Sequence, residues 1–425
     1  MGTTGKPGRP RTGDTYRQVI GLTGPLLPCV SFLGRLPTAT IEFGSVLLVA
    51  RTSGSLGTAG LTGGALALGQ VVCGPLVGRL ADRYGQRTVV LAFSLANALA
   101  VAALVTGALA GLPAPALAFL GAAAGATVPL VGALARTRLV ALARRAGAPE
   151  ETVGVALSFE SSLDELSFVL GPALVGLAAV LAHPAYAMGA AAVLVAVCGS
   201  AFALHPTARL AAPVREEPGP ARARPPMPRC VPALLTAPAL QGAMFGACQA
   251  GIAALTARLG QEDQAGLVYA AMGVMSAVAG FAMAAVPDRV GARTRWRLAT
   301  GAALALSLPL LGTTGLTGLY AVVTVLGSAY APHLITVFGL LERAVAPSRL
   351  AETMGAATSA VVGGQALAVA VCGRLAESHG PVAAFAAAST VAGLAFALAL
   401  TVRPTPYRDH LERAHHARVP DGRPG

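Results

Sequence analysis

The side chains in this sequence best placed to do chemistry are ionisable residues set in apolar surroundings. GRLPTATIEF carries Arg35 and Glu42 with Pro37 between them, and FESSLDELSFVLGP carries Glu160, Asp164 and Glu165 ahead of Gly171 and Pro172. A charge surrounded by apolar groups costs several kcal/mol unless it is paired, so such residues either pair or take up and release protons. Glu160 and Asp164 are four apart and share one helix face, whereas Glu165 points about 100° away. Arg35 and Asp164 fall about ten residues from the same end of their segments, a similar depth at about 1.5 Å per residue. Equal depth allows them to pair. Two acids facing one arginine leave one carboxylate poorly compensated, which makes Glu160 or Glu42 the expected proton carrier. A buried charge network that only fixes packing is the alternative.

Composition identifies the elements that must hold these residues. The 425 residues are 54% hydrophobic and 12% charged, with mean hydropathy +0.65, against roughly 25% charged residues in soluble domains. The apolar residues fall in blocks of about 20, the length that crosses about 30 Å of hydrocarbon as helix. Twelve blocks run at about 24–50, 59–80, 88–109, 114–135, 154–181, 184–204, 232–257, 264–286, 297–314, 316–341, 352–374 and 381–402. The expected organisation is a polar tail (1–23), a six-helix bundle (24–204), a Pro- and Arg-rich linker (205–231), a second six-helix bundle (232–402) and a polar tail (403–425). The fold class is all-α integral membrane protein.

The net charge of +12 raises the question of a nucleic-acid partner, and its distribution answers it. With both termini in the cytoplasm, all but four of the 31 Lys and Arg residues lie on that side; Arg51, Arg258 and Arg374 fall outside, and Arg35 lies within the first span. Short clusters such as Arg136, Arg138, Arg144 and Arg145 follow the positive-inside rule and face lipid, not nucleic acid. The six cysteines lack CxxC or HxxxH spacing, so neither a metal site nor a disulfide framework is expected. No phosphate-binding loop is present and Lys6 is the only lysine, which excludes direct use of ATP. No cofactor or enzyme motif is found.

After the second block comes Gly78-Arg79-Leu80-Ala81-Asp82-Arg83-Tyr84-Gly85-Gln86-Arg87. A degenerate copy, Asp288-Arg289-Val290-Gly291-Ala292-Arg293, follows the eighth block, and Pro129 and Pro332 repeat at a similar offset of about two hundred residues. The first run resembles the loop between helices two and three of the major facilitator superfamily, G-x-L-A-D-R-x-G-x-R. The resemblance covers about Arg17 to Arg403 and implies two pseudo-symmetric six-helix bundles. It also implies a cytoplasmic latch built from Gly78, Asp82, Arg83, Gly85 and Arg87, echoed by Asp288 and Arg289, and a monomer. Arg83 and Arg87 are expected to bridge to acids or helix ends across that face.

Arg35-Leu36-Pro37, Asp164-Glu165 before Gly171-Pro172, and Ala331-Pro332 resemble a branch of this superfamily found in high-GC actinobacteria, regarded as exporters of drugs or secondary metabolites. Gly171-Pro172 is similar to the antiporter pattern, although Ser167 and Val175 stand where glycines belong. Gln249, Tyr330 and His333 are candidates to line a substrate cavity, and Pro37, Pro129, Gly171, Pro172 and Pro332 to break helices. The cavity walls suit a moderately apolar or neutral substrate. The resemblance implies a secondary active transporter in the bacterial cytoplasmic membrane, exporting a small organic molecule against protons by alternating access. A proton-coupled nutrient symporter, or a non-transporting sensor of the same fold, are the alternatives.

Overall fold

A computed structural model describes residues 21, 24–148, 150–210, 227–261, 264–286 and 289–403. The described residues of the apolar blocks are largely helical, with breaks at 127–130 and 328–329. In chain order the helices are α1 (Leu26–Ser53), α2 (Leu56–Tyr84), α3 (Gln86–Leu109), α4 (Ala114–Ala126), α5 (Val131–Arg145), α6 (Glu150–Leu181) and α7 (Pro184–Leu204). After the connecting segment come α8 (Cys230–Arg258), α9 (Gln264–Ala282), α10 (Ala292–Ser307), α11 (Leu316–Gly327), α12 (Tyr330–Ala344), α13 (Leu350–His379) and α14 (Pro381–Thr401). Taken with their short continuations, eleven helices are long and apolar enough to cross a membrane, α4 with α5 and α11 with α12 each counting as one. The segment expected at 297–314 is not among them. Its helix α10 has 16 residues, starts with arginines 293, 295 and 297, and tightens into a 3-10 turn at Leu308–Gly312 around Pro309.

Local chemistry sets the ends. Ser55 accepts the Thr58 N–H at the start of α2 (3.2 Å), and His183 accepts that of Ala185 at the start of α7 (3.2 Å). Gly85 joins α2 to α3 with φ +86°, a left-handed conformation that glycine alone adopts at little cost. The break between α4 and α5 falls at Pro129, and Leu130 after it is the single non-glycine residue with positive φ (+50°) among the described residues. Asn97 of α3 compensates there, donating to the Ala124 carbonyl (2.7 Å) and the Thr127 hydroxyl (3.3 Å). At the second break, before α12, the Ala331 N–H finds Ser276 Oγ of α9 (3.1 Å).

The fourth block does not end near 135. Its helix continues to Arg145, so Arg136 and Arg138 are buried and do not belong to a solvated basic loop. Of the expected linker, 211–226 lie outside the described residues, as do the terminal tails before 21 and after 403.

Within each half, small residues bring helices together. Gly69, Gly121 and Gly125 seat α4 on α2, Gly171 seats α6 on α1 at Ala39 and Thr40, and Gly242, Gly246 and Gly364 seat α8 on α13. Each half has its own apolar core at one end of the bundle, around Leu48, Leu104 and Met188 in the first half and Met272, Leu326 and Phe385 in the second. At the other end, where Asp82 lies, the two halves share one core that joins Val77, Leu134 and Leu157 to Leu341, Leu350 and Met354.

Candidate functional site

Arg35 on α1 is 4% exposed and spends all five guanidinium N–H groups inside the first half. Nε donates to the Ser31 carbonyl (3.2 Å) and Nη1 to the Glu160 carbonyl (2.9 Å) and Asp164 Oδ1 (2.8 Å), while Nη2 donates to the Ser31 hydroxyl and the Glu160 carboxylate. Both acids come from α6, four residues apart. The other oxygen of Asp164 accepts from Arg136 of α5. Gly132 makes room for this arrangement, because a Cβ there would lie 2.6 Å from Asp164 Oδ1.

The result is a group of two arginines and two carboxylates with no net charge. Arg136 answers the compensation problem that one arginine and two acids pose. The sequence reading missed it because the residue sits among other arginines at the end of a block; the signal was the apolar run Leu139-Val140-Ala141-Leu142 beyond it. Arg136 also lies over the Phe338 ring of α12 (4.2 Å), tying this group to the second half. Arg138, fully buried, stacks on Phe202 (3.7 Å) and donates to Gln86 (3.0 Å) and the Phe202 carbonyl (2.8 Å), so a helix C-terminal carbonyl and a ring face stand in for a carboxylate.

Two further acids stand outside this group. Glu42 on α1 has a buried Oε1 without a hydrogen-bond partner and lies beside Gln70 of α2. Glu165 is 7% exposed, lies beside Ser276 and forms no ion pair among the described residues.

Of the residues expected to form a latch, Gly78 and Asp82 lie between the halves. Asp82 at the end of α2 accepts the N–H groups of Ala351 (3.2 Å) and Glu352 (2.9 Å) in the first turn of α13, a helix whose own N-cap residue, Arg349, supplies no side-chain cap. Gly78 abuts the Ala351 carbonyl. Arg83 and Arg87 are exposed and reach no acid among the described residues, Arg83 lying over its neighbour Tyr84 (5.2 Å). The bridge is made instead by Arg79, which donates to Glu352 through Nη2 (2.7 Å) and Nε (3.1 Å), and by Arg144, which pairs with Glu342 of α12. Pro287 and Asp288 of the second copy lie outside the described residues, and Arg289 is exposed.

Of the expected cavity residues, Gln249 faces Gln365 of α13 (3.4 Å). His333 is buried and bonds Gln241 of α8 through Nδ1, while its Nε2 has no partner. Tyr330 is fully buried, its hydroxyl 3.5 Å from Cys248 Sγ. Its ring stacks at 4.2 Å on Phe245, which lies 6.3 Å from Tyr269. Pro37 and Pro172 lie inside unbroken helices, and Pro332 in the first turn of α12.

A family model described as Major Facilitator Superfamily matches residues 22–357 and 250–421. Among solved structures, the human organic anion transporter MFSD10 (TETRAN) aligns at 19% identity over 92% of this chain and 100% of its own, with a TM-score of 0.66. A bacterial homologue of the iron transporter ferroportin, in its outward-facing state, aligns at 15% over 88% and 98%, with a TM-score of 0.68. The Escherichia coli fucose:proton symporter FucP in the outward conformation aligns at 14% over 89% and 98%, with a TM-score of 0.62. At these identities the likeness is one of fold. No curated protein sequence matches the chain. With a family model matching most of its length and an all-helical bundle whose two halves meet at Asp82, this chain is a multi-pass membrane transporter and belongs to the major facilitator superfamily.

Proposed function

We propose that this protein is a proton-coupled exporter of a small organic molecule, working by alternating access. Counting residues 292–312 as the ninth of twelve spans puts both termini on one side, and the arginine distribution supports the cytoplasm as that side and as the side of the Asp82 end. In that orientation the bundle is closed at the cytoplasmic end by the shared core and the Asp82, Arg79 and Arg144 contacts. The outward direction rests on the resemblance of Arg35-Leu36-Pro37, Asp164-Glu165 and Ala331-Pro332 to the exporter branch; Gly171-Pro172, without its flanking glycines, does not set it.

The observation that carries the coupling is the neutrality of the Arg35, Glu160, Asp164 and Arg136 group. It satisfies Glu160 and leaves Glu42 as the carboxylate with a buried, unpartnered oxygen, the environment in which an intramembrane acid carries a proton. Proteoliposomes holding the purified protein and an internal pH dye test this against a panel of hydrophobic antibiotics and metabolites. Substrate-dependent proton movement that Glu42→Gln abolishes, while the variant remains folded, is the expected result. Coupled transport that survives in Glu42→Gln, Glu160→Gln and Asp164→Asn alike would sink the proposal.

A further inference from the structure

We infer that the interior site takes a lipophilic organic cation, held between the carboxylates of Glu42 and Glu165 and the ring faces of Phe245 and Tyr269. This deepens the transporter reading above and rests on it. The charge balance comes first. The Arg35 and Arg136 group is neutral, so the interior acids left over are Glu42 from α1 and Glu165 from α6. The facing helices do not answer them: α9 and α11 contain no Lys or Arg, and the arginines of α8 and α12 lie at their ends, Arg258 and Arg343.

The geometry comes second. Ser276 of α9 takes the Ala331 N–H and lies against Glu165, which sets that carboxylate beside the start of α12 and hence beside Tyr330. Val169, one turn beyond Glu165, packs on Gly273, one turn beyond Tyr269. Both carboxylates are within electrostatic reach of the Tyr269 phenol. Phe245 and Tyr269 are partly exposed, and the fully buried Tyr330 backs Phe245.

Ring faces attract weakly hydrated cations, and a carboxylate in a partly dry site supplies the counter-charge that burying a cation requires. An anion would meet two carboxylates that form no ion pair among the described residues. A small divalent ion needs about six oxygen ligands or more, and among the described residues no three His, Cys, Asp or Glu side chains are grouped to hold one. A monocation with apolar substituents satisfies both walls.

Tetraphenylphosphonium and tetraphenylborate, alike in shape and opposite in charge, read this directly by equilibrium binding to the detergent-solubilised protein. The phosphonium is expected to bind saturably and at least about tenfold more tightly than the borate. Glu165→Gln is expected to weaken the phosphonium about tenfold and Phe245→Leu severalfold, with Phe245→Tyr close to the wild type. Equal binding of the two ions, tighter binding of the borate, no saturable binding of either, or Glu165→Gln and Glu42→Gln variants that bind as the wild type would each overturn the inference. The charge comparison needs no variant, so a misfolded mutant cannot mask it. Because binding is read without a gradient, charge-selective binding with no coupled proton flux would remove only the proton coupling. Coupled flux without charge selectivity would remove only this inference.

Discussion

At the scale of single residues, Arg35 is the centre of the buried charge group, and its removal tests how the group is held. Glu160 is 2% exposed and its cation partner among the described residues is Arg35, whereas the Asp164 side chain is 23% exposed and holds two. Arg35→Ala therefore strands Glu160 and is expected to cost about 3–5 kcal/mol, the usual penalty for breaking a buried pair. Arg136→Ala leaves Asp164 with Arg35 and is expected to cost less. Arg35→Leu combined with Glu160→Leu removes both charges and is expected to be milder than Arg35→Ala alone. Thermal unfolding of the purified variants decides this; a double variant as unstable as the single would show that the pair is not the unit. Helical spacing put Glu160 and Asp164 on one face and at the depth of Arg35, but that α1 lies beside α6 came from the family resemblance, and the engagement of Glu160 as well as Asp164 by Arg35 was not legible. Arg136 was hidden, since its burial depends on α5 continuing past the break at Pro129, and arginine at the edge of an apolar block ordinarily marks a cytoplasmic loop.

At the scale of elements, Asp82 of α2 caps a helix in the other half of the molecule. An N-cap carboxylate satisfies orphan N–H groups and meets the positive end of the helix dipole, contributing about 1 kcal/mol or more. On the alternating-access reading proposed above, the capped helix, α13, and the capping helix, α2, belong to bodies that part, and the cap then stabilises one state of the cycle against the other. Asp82→Ala is expected to raise the population of the state open at this end about tenfold, the shift that about 1.4 kcal/mol produces. Spin labels at Arg87 and Arg289, both exposed and one in each half, would report it as a second, longer distance. An unchanged distance distribution would show that Asp82 does not bias the equilibrium. The loop itself was legible from its spacing, and Gly85 from the tight joint between α2 and α3. The choice of bridging arginine was not, because Arg79, Arg83 and Arg87 are alike in sequence and differ only in which points across the interface at α13. The left-handed turn at Leu130 left no mark either, since its support from Asn97 comes from another helix.

At the scale of the whole molecule, two glycines set up the same local clash in different places. A Cβ at Gly78 would lie 2.8 Å from the Ala351 carbonyl carbon and 2.9 Å from Glu352 Cα; a Cβ at Gly242 would lie 2.7 Å from the Val361 carbonyl carbon and 2.9 Å from Val361 Cα. In both cases the obstacle is backbone of α13, which a rotamer change cannot move. Gly242, however, joins α8 to α13 inside one half, and Gly78 joins α2 to α13 between halves. If the halves are bodies that rock against each other, the clash at Gly78 has a relief already built into the cycle, namely opening of this end, whereas the clash at Gly242 has none. Gly242→Ala is therefore expected to lose about 1–3 kcal/mol of stability, the usual cost of overpacking, with the Arg87 to Arg289 distance unchanged. Gly78→Ala is expected to keep most of its stability and shift that distance outward. Equal losses of stability with no change of distance in either variant would mean that the two halves behave as one body, and alternating access would need a different moving part.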